Sequence, residues 1–282
     1  MSILAIIRFY IQLIKTPQTG LLIFTAFAAY RSAGGGLDVW NLMFALAGML
    51  FAISGTTALN MVFDRDIDAV MARTKNRPIP KGIITPKTAS IFGWTLIIAG
   101  SLINFWMSWL YGLVITAGVF FDLVVYTIWL KRKSPWSIVF GGLSGGMPIL
   151  AGRVLVTEQI DFIGILLMLA IVLWIPTHIL TMAMNHSKDY KLAGVPTFPN
   201  VFGFNSARIF IAVTNLFAAG ILLTVGYLLQ INHSGIVAMR IGSLIMLILS
   251  LRLILKPSEK ANFTLFKYAS LFMAGAMLVF AL

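Results

Sequence analysis

The sequence predicts an all-α integral membrane protein of about nine transmembrane helices. Three observations carry this. The 282 residues are 59% hydrophobic and only 11% charged, whereas a soluble domain carries about a quarter charged residues. The apolar stretches run to roughly 20 residues, the length of a spanning helix, and lack the ~10-residue alternation of a membrane barrel. The basic residues also fall almost wholly on one side of the predicted spans.

The spans follow in order. The first covers about 18–33, is short and includes the amphipathic run from Ile3 to Gln18. RSAGGGLD separates it from 41–62. A polar loop over 63–88 precedes 89–109, and 111–130 follows almost at once. KRKSPW breaks the chain before 137–156, and VTEQID before 162–184. A second long loop, 185–205, precedes 206–229. QINHSG and KPSEKAN then bound 236–255 and 264–282. Each break is rich in Gly, Pro or polar residues, which punctuate helices.

Placing the N-terminus in the cytoplasm puts 18 of the 21 Lys and Arg inside. Only Arg31, Arg153 and Arg240 fall outside. This is the positive-inside pattern, and it puts the C-terminus outside and both long loops on the cytoplasmic face of a cell membrane. It also accounts for the net charge of +12 without nucleic acid. Cysteine is absent, which excludes disulfides and thiolate chemistry. The first apolar stretch holds Arg8 and Lys15 and lacks a small-residue cleavage site, unlike a secretory signal.

The two long loops resemble each other. Asn60 to Asp68 closes the second span and Asn185 to Asp189 closes the sixth, each followed by a Pro-spaced stretch. Within one transmembrane domain over 1–282, the offset of four spans is consistent with parallel halves at about 1–135 and 136–255 and a final added helix; two unrelated polar loops are the alternative.

Residues 60–80 read NMVFDRDIDAVMARTKNRPIP and hold most of the chemical information. Asn60, Asp64 and Asp68 are spaced i, i+4, i+8. Each step of four turns about 40° and rises ~6 Å on an α-helix, so the three share one face. They offer oxygen only, as Mg²⁺ prefers, and Mg²⁺ takes one or two carboxylates with water and substrate phosphate completing its octahedron. Three carboxylates within five residues repel one another unless a cation joins them. An EF-hand is excluded because its sixth position is Ala69 and its twelfth is Lys75. Asp66 lies on the other side of the helix, where Arg65 or Arg73 could pair with it. Asn185 and Asp189 repeat the i, i+4 spacing, with Tyr190 adjoining. Basic residues beside the acids, Arg73, Arg77 and Lys131 among them, are explained by topology and could also neutralise diphosphate oxygens.

Two ionisable groups lie within spans. His178 sits about two turns before Asn185, where either a satisfied interior hydrogen bond or a role at an acceptor would account for it. Asp122 stands in VFFDLVVYTIW and must be paired or face a wet cavity. Tyr126, one α-turn further on, is a candidate partner. A cation-coupled transporter is the competing class, but transporter sites lie near the midplane on broken helices, and the acids here cluster at a helix end.

NxxxDxDxD running into RTxxRPxPxGxI resembles the first Asp-rich motif of the UbiA superfamily of intramembrane prenyltransferases. YTIWLKRKSPWSIVFGGLSGGMPILAGRVLVT, LWIPTHILTMAM and KDYKLAGVPTFPNVFG are similar to segments of its protoheme IX farnesyltransferase branch. The likeness spans about residues 8–210. It implies nine helices around a central cavity with both Asp-rich motifs at its cytoplasmic mouth. It implies Mg²⁺ and diphosphate on Asn60, Asp64, Asp68 and Asp189, with Arg73, Arg77 and Lys131 on the diphosphate. His178, Asn185, Tyr190 and Tyr126 stand towards the acceptor. The implied substrates are farnesyl diphosphate and protoheme IX, whose vinyl group would take the prenyl chain. The sequence departs from that branch at Thr177, His186, the LIKTPQ stretch and GVPTFP. Three of these lie around the sixth span and its loop, so a quinone precursor or a lipid such as a prenylated glycerol phosphate stays open as acceptor.

Overall fold

The computed structural model describes residues 3–282 and contains helices and turns alone over that range. Met1 and Ser2, the tip of the terminus that the charge pattern predicts to be cytoplasmic, lie outside the described residues. Short α1 (Ile3–Leu13) leads into α2 (Thr16–Ser32) and α3 (Val39–Phe63), which runs into the six-residue α4 (Arg65–Val70). Next come α5 (Pro86–Met107), α6 (Trp109–Phe120) and a π-helical segment, Phe121–Leu130, continuous with α6. The second half holds α7 (Ser137–Thr157), α8 (Phe162–Asn185), short α9 (Ser187–Leu192) and α10 (Phe198–Phe202), then α11 (Phe204–Leu228), α12 (His233–Leu255) and α13 (Glu259–Ala281).

Among the described residues, eight helices are long and apolar enough to cross a membrane, α6 and the π-helical segment counting as one. Helix α2, at 17 residues, coincides with 18–33 of the short first span; the run from Ile3 is not part of that helix but forms the separate α1, set off by the left-handed backbone at Lys15. All nine predicted spans are therefore present as helices.

The helix starts follow from capping chemistry. Asp38 accepts hydrogen bonds from the amides of Trp40 and Asn41, Thr85 from Thr88, Asp161 from Gly164, Asn232 from Gly235 and Ser258 from Ala261. Each satisfies an amide that the first helical turn leaves free.

Small residues let the spans approach closely. A Cβ on Gly55 of α3 would meet the Gly93 carbonyl of α5 at 2.4 Å, and a Cβ on Gly152 of α7 would meet the Ala26 carbonyl of α2 at 2.0 Å. Lipid-embedded helices associate through such contacts, since apolar burial gives no net drive between them. A central cluster with Ala28, Ile149, Leu167, Leu222 and Met277 joins α2, α7, α8, α11 and α13. Large apolar side chains such as Leu102, Trp106 and Leu271 point outward, where acyl chains would cover them.

The Arg31 Nε donates to the Ala281 carbonyl at 3.3 Å, so α2 and α13 end together. The turns after α3 and α8 lie at the opposite end of the bundle, and there the two Asp-bearing loops meet. Ile67 and Met71 pack on Val195, with Tyr190 and Ala193 against them.

Candidate active site

Helix α3 breaks at Asp64, yet its hydrogen-bond ladder continues across the break. The Asp64 amide donates to Asn60 (2.9 Å) and the Asp68 amide to Asp64 (2.7 Å). The i, i+4, i+8 register thus survives, and Asn60, Asp64 and Asp68 are all buried, at 6%, 7% and 4% exposure.

Each makes a distinct contact. The Asn60 Nδ2 donates to Asp122 Oδ2 at 2.8 Å, and its Oδ1 accepts from the Thr127 hydroxyl at 2.9 Å. Asp64 pairs with the Lys131 ammonium, and its other oxygen, Oδ1, is buried without a partner. Asp68 pairs with Arg77 at 2.7 Å. Lys131 stands over the Tyr126 ring, 5.6 Å from its centroid. Burial opposes the charge on Lys131, but Tyr126 and the Asp64 carboxylate more than offset this, and its pKa lies above the ordinary lysine value.

Two partnerships differ from the sequence expectation. Asp66 pairs with Arg132, whose NH1 and NH2 reach its two oxygens at 2.6 and 2.7 Å, and not with Arg65 or Arg73. Arg132 also donates to the Phe63 carbonyl, so its fork fits the outer side of the α3–α4 break. Hydrogen bonds from Arg132 hold the Asp66 carboxyl down at about 2. The partner of Asp122 is Asn60, not Tyr126. An α-helical register puts Tyr126 one turn beyond Asp122, but the segment is π-helical, and its i→i+5 pattern brings Thr127 there instead. The Thr127 hydroxyl accordingly also lies 3.0 Å from the Asp122 carbonyl.

Tyr126, Lys131 and Tyr190 line a narrow cleft with Ile179, Ala183 and Thr197, so the second loop reaches the first site. Asp189 is half-buried on α9 and Asn185 is exposed at the end of α8. Among the described residues, neither makes a side-chain hydrogen bond or ion pair with the acids of the first loop, and Arg73 is exposed with no ion pair. His178 stacks on Trp174 and tilts against Phe266, with ring centroids at 6.3 and 5.7 Å, and stands apart from the carboxylates. Its neighbour Thr177 is fully buried and accepts from Asn215 Nδ2 at 2.6 Å.

Sequence reasoning missed Lys15 as a site residue. It has a left-handed backbone, φ 45°, a strained state for a non-glycine residue. Its ammonium lies within electrostatic reach of Arg77, Asp122, Lys131 and Asp64, and burial first, then Arg77, pushes its pKa down. The site thus sets Lys15, Arg77 and Lys131 against Asp64, Asp68 and Asp122.

Among the described residues, no three His, Cys, Asp or Glu side chains converge to hold a metal alone. The donor set nevertheless fits Mg²⁺. It is oxygen only, the buried Asp64 Oδ1 is unclaimed, and this ion keeps waters and takes substrate phosphates as ligands.

Fold and site together define a multi-pass membrane enzyme whose charged groups gather at one end of a helical bundle. The UbiA prenyltransferase family profile matches residues 21–275. The chain belongs to the UbiA prenyltransferase family, and it is a prenyltransferase. It is 46% identical over 197 residues to a protoheme IX farnesyltransferase of Archaeoglobus fulgidus, covering 70% of this chain and 69% of that one. It is 38% identical over 226 residues to a protoheme IX farnesyltransferase of Thermofilum pendens, covering 77% and 80%. Among solved structures, one of digeranylgeranylglyceryl phosphate synthase superposes with a TM-score of 0.81 at 19% identity, covering 98% of this chain and 97% of that one. A UbiA homolog from Archaeoglobus fulgidus bound to GPP and Mg²⁺ superposes at 0.68 and 14% identity, covering 97% and 100%.

Proposed function

We propose that this protein transfers the farnesyl group of farnesyl diphosphate to a vinyl group of protoheme IX, in a Mg²⁺-dependent reaction at the cytoplasmic end of the bundle. The observation that carries the reading is the charge balance of the site. Asp64 and Asp68 are each matched by a cation, so the site has little positive charge to spare for a diphosphate unless divalent metal enters with it. The names of the relatives supply the acceptor.

Asn60, Asp64 and Asp68 would hold Mg²⁺, with Asp189 reaching it from the second loop. When bound, the ion withdraws charge from the diphosphate. Lys131, Arg77 and Arg73 would meet the diphosphate oxygens as the C1–O bond breaks, an electrostatic role. The allylic cation is left among apolar side chains that exclude water. The protoheme vinyl group attacks C1, water adds to the resulting cation and loses a proton, and the product carries a hydroxyethylfarnesyl group. His178, Asn185, Tyr190 and Tyr126 stand on the acceptor side. The basic residues near the loops support a cytoplasmic position for this end and for the N-terminus. The short helices α4 and α9, each directly following a long span, support the reading of two parallel halves.

The test is turnover of farnesyl diphosphate with protoheme by purified enzyme, the product followed by mass spectrometry. The Asp64→Asn variant should fold yet lose product. Near-normal product from that variant would overturn the site. A prenylated lipid or quinone precursor with no farnesylated haem would overturn the acceptor but not the chemistry.

A further inference from the structure

Asp122 is a carboxylate inside a membrane span, a costly position. Among the described residues it has no ion pair within 4 Å. Its close side-chain contact is the Asn60 Nδ2 at 2.8 Å. An asparagine amide can sit in either of two flips, with oxygen and nitrogen exchanged. A carboxylate oxygen accepts, so the amide nitrogen belongs beside Asp122. The Asn60 oxygen then faces Thr127, whose hydroxyl can donate to it. This accounts for one lone pair of Oδ1 and leaves the other unclaimed.

The π-helix makes this arrangement available. In an α-helix, residues five apart point about 140° away from each other. In the Phe121–Leu130 segment the i→i+5 ladder brings Asp122 and Thr127 onto one turn. Both can then address the same amide from a neighbouring span. Helices rarely sustain a π-register, and where they do it often marks a functional site.

We propose that Asp122 is a positioning residue that acts through Asn60. It fixes the amide so that oxygen, not nitrogen, is offered to the divalent cation, and Thr127 completes the lock. The inference rests on the reading of Asn60 as a metal ligand, and goes beyond it by assigning the mid-span acid.

The test is a titration of purified full-length protein in detergent with Mn²⁺ alone, the free ion being read by electron paramagnetic resonance. Asp122→Leu should weaken Mn²⁺ binding about tenfold, the scale on which losing an outer-shell partner weakens a metal site. Asp122→Asn keeps an oxygen acceptor in place and should bind Mn²⁺ measurably more tightly than Asp122→Leu, short of the about tenfold loss. Asn60→Ala should weaken binding, and adding Asp122→Leu to it should weaken it no further, since the effect passes through the amide. Asp122→Leu binding like wild type would overturn the proposal, as would additive losses in the double variant. Undiminished binding by Asn60→Ala would instead overturn the metal-ligand reading, and the inference with it.

Discussion

Replacing Lys131 by Met tests the site most directly. The unbranched Met side chain keeps the stem that packs by Tyr126 and removes only the ammonium. Lys131 and Asp64 form a buried pair, their side chains 14% and 9% exposed. Removing one partner of such a pair costs about 3–5 kcal/mol, because the remaining charge is left uncompensated. The cleft beside Lys131 gives water some access, so the lower figure, about 3 kcal/mol, applies. At roughly 2–4 °C per kcal/mol this lowers the midpoint of thermal unfolding by about 6–12 °C in metal-free buffer. Mg²⁺ should return most of the loss, since a ligand at a hundredfold excess over its Kd stabilises by about 2.7 kcal/mol. In the wild type the ion must contend with the ammonium for Asp64, so its stabilisation is smaller. The assay is intrinsic fluorescence from the 7 tryptophans, with and without Mg²⁺; thiol-reactive dyes have no target in this chain. The variant should gain more from Mg²⁺ than the wild type while losing turnover. A metal-free midpoint equal to wild type, or an equal response to Mg²⁺, would refute the pairing argument.

Gly152→Ala should destabilise by about 3 kcal/mol or more, because its Cβ would sit 2.0 Å from a backbone carbonyl of α2 and overpacking against backbone is hard to relieve. Gly220→Ala, with no atom within 4 Å of the added carbon, is the control, and the two melting points should separate clearly. His178→Ala should raise KM for the acceptor and leave KM for prenyl diphosphate unchanged in steady-state kinetics, since His178 packs on Trp174 and Phe266 away from the acids. Asp66→Asn should leave turnover near wild type and change stability by less than about 1 kcal/mol, because the Arg132 pair is exposed to solvent. The Asp66 carboxyl is held at about 2, below its unfolded value of about 4. The small contribution of the pair is therefore present above about pH 4 and fades as pH falls towards 2. A melting-point difference between wild type and variant that grew on acidification would contradict this sign.

Much of the fold was legible because its signals are local. Asp38, Thr85, Asp161, Asn232 and Ser258 each sit in a break read from sequence, and each caps the helix that follows. The face shared by Asn60, Asp64 and Asp68 was legible for the same reason, since one helical register sets it. The contacts that cross between spans were not. The choice of Arg132 by Asp66 depends on how the turn after the π-helix sits against the α3–α4 break. Tyr126 looked like the partner of Asp122 only on an α-helical count, and nothing in an apolar run such as FDLVVYTIWL distinguishes a π-register. Lys15 read as topology, because a left-handed backbone and the direction of a long side chain leave no periodic trace.

The matching of carboxylates by ammonium and guanidinium groups has a thermodynamic corollary. A cation that enters beside Asp64 displaces Lys131 and frees it, and a polyanion that recruits Arg77 uncovers Asp68. Each guest thereby creates the vacancy the other needs. Their affinities must be linked, and by reciprocity each raises that of the other by the same factor.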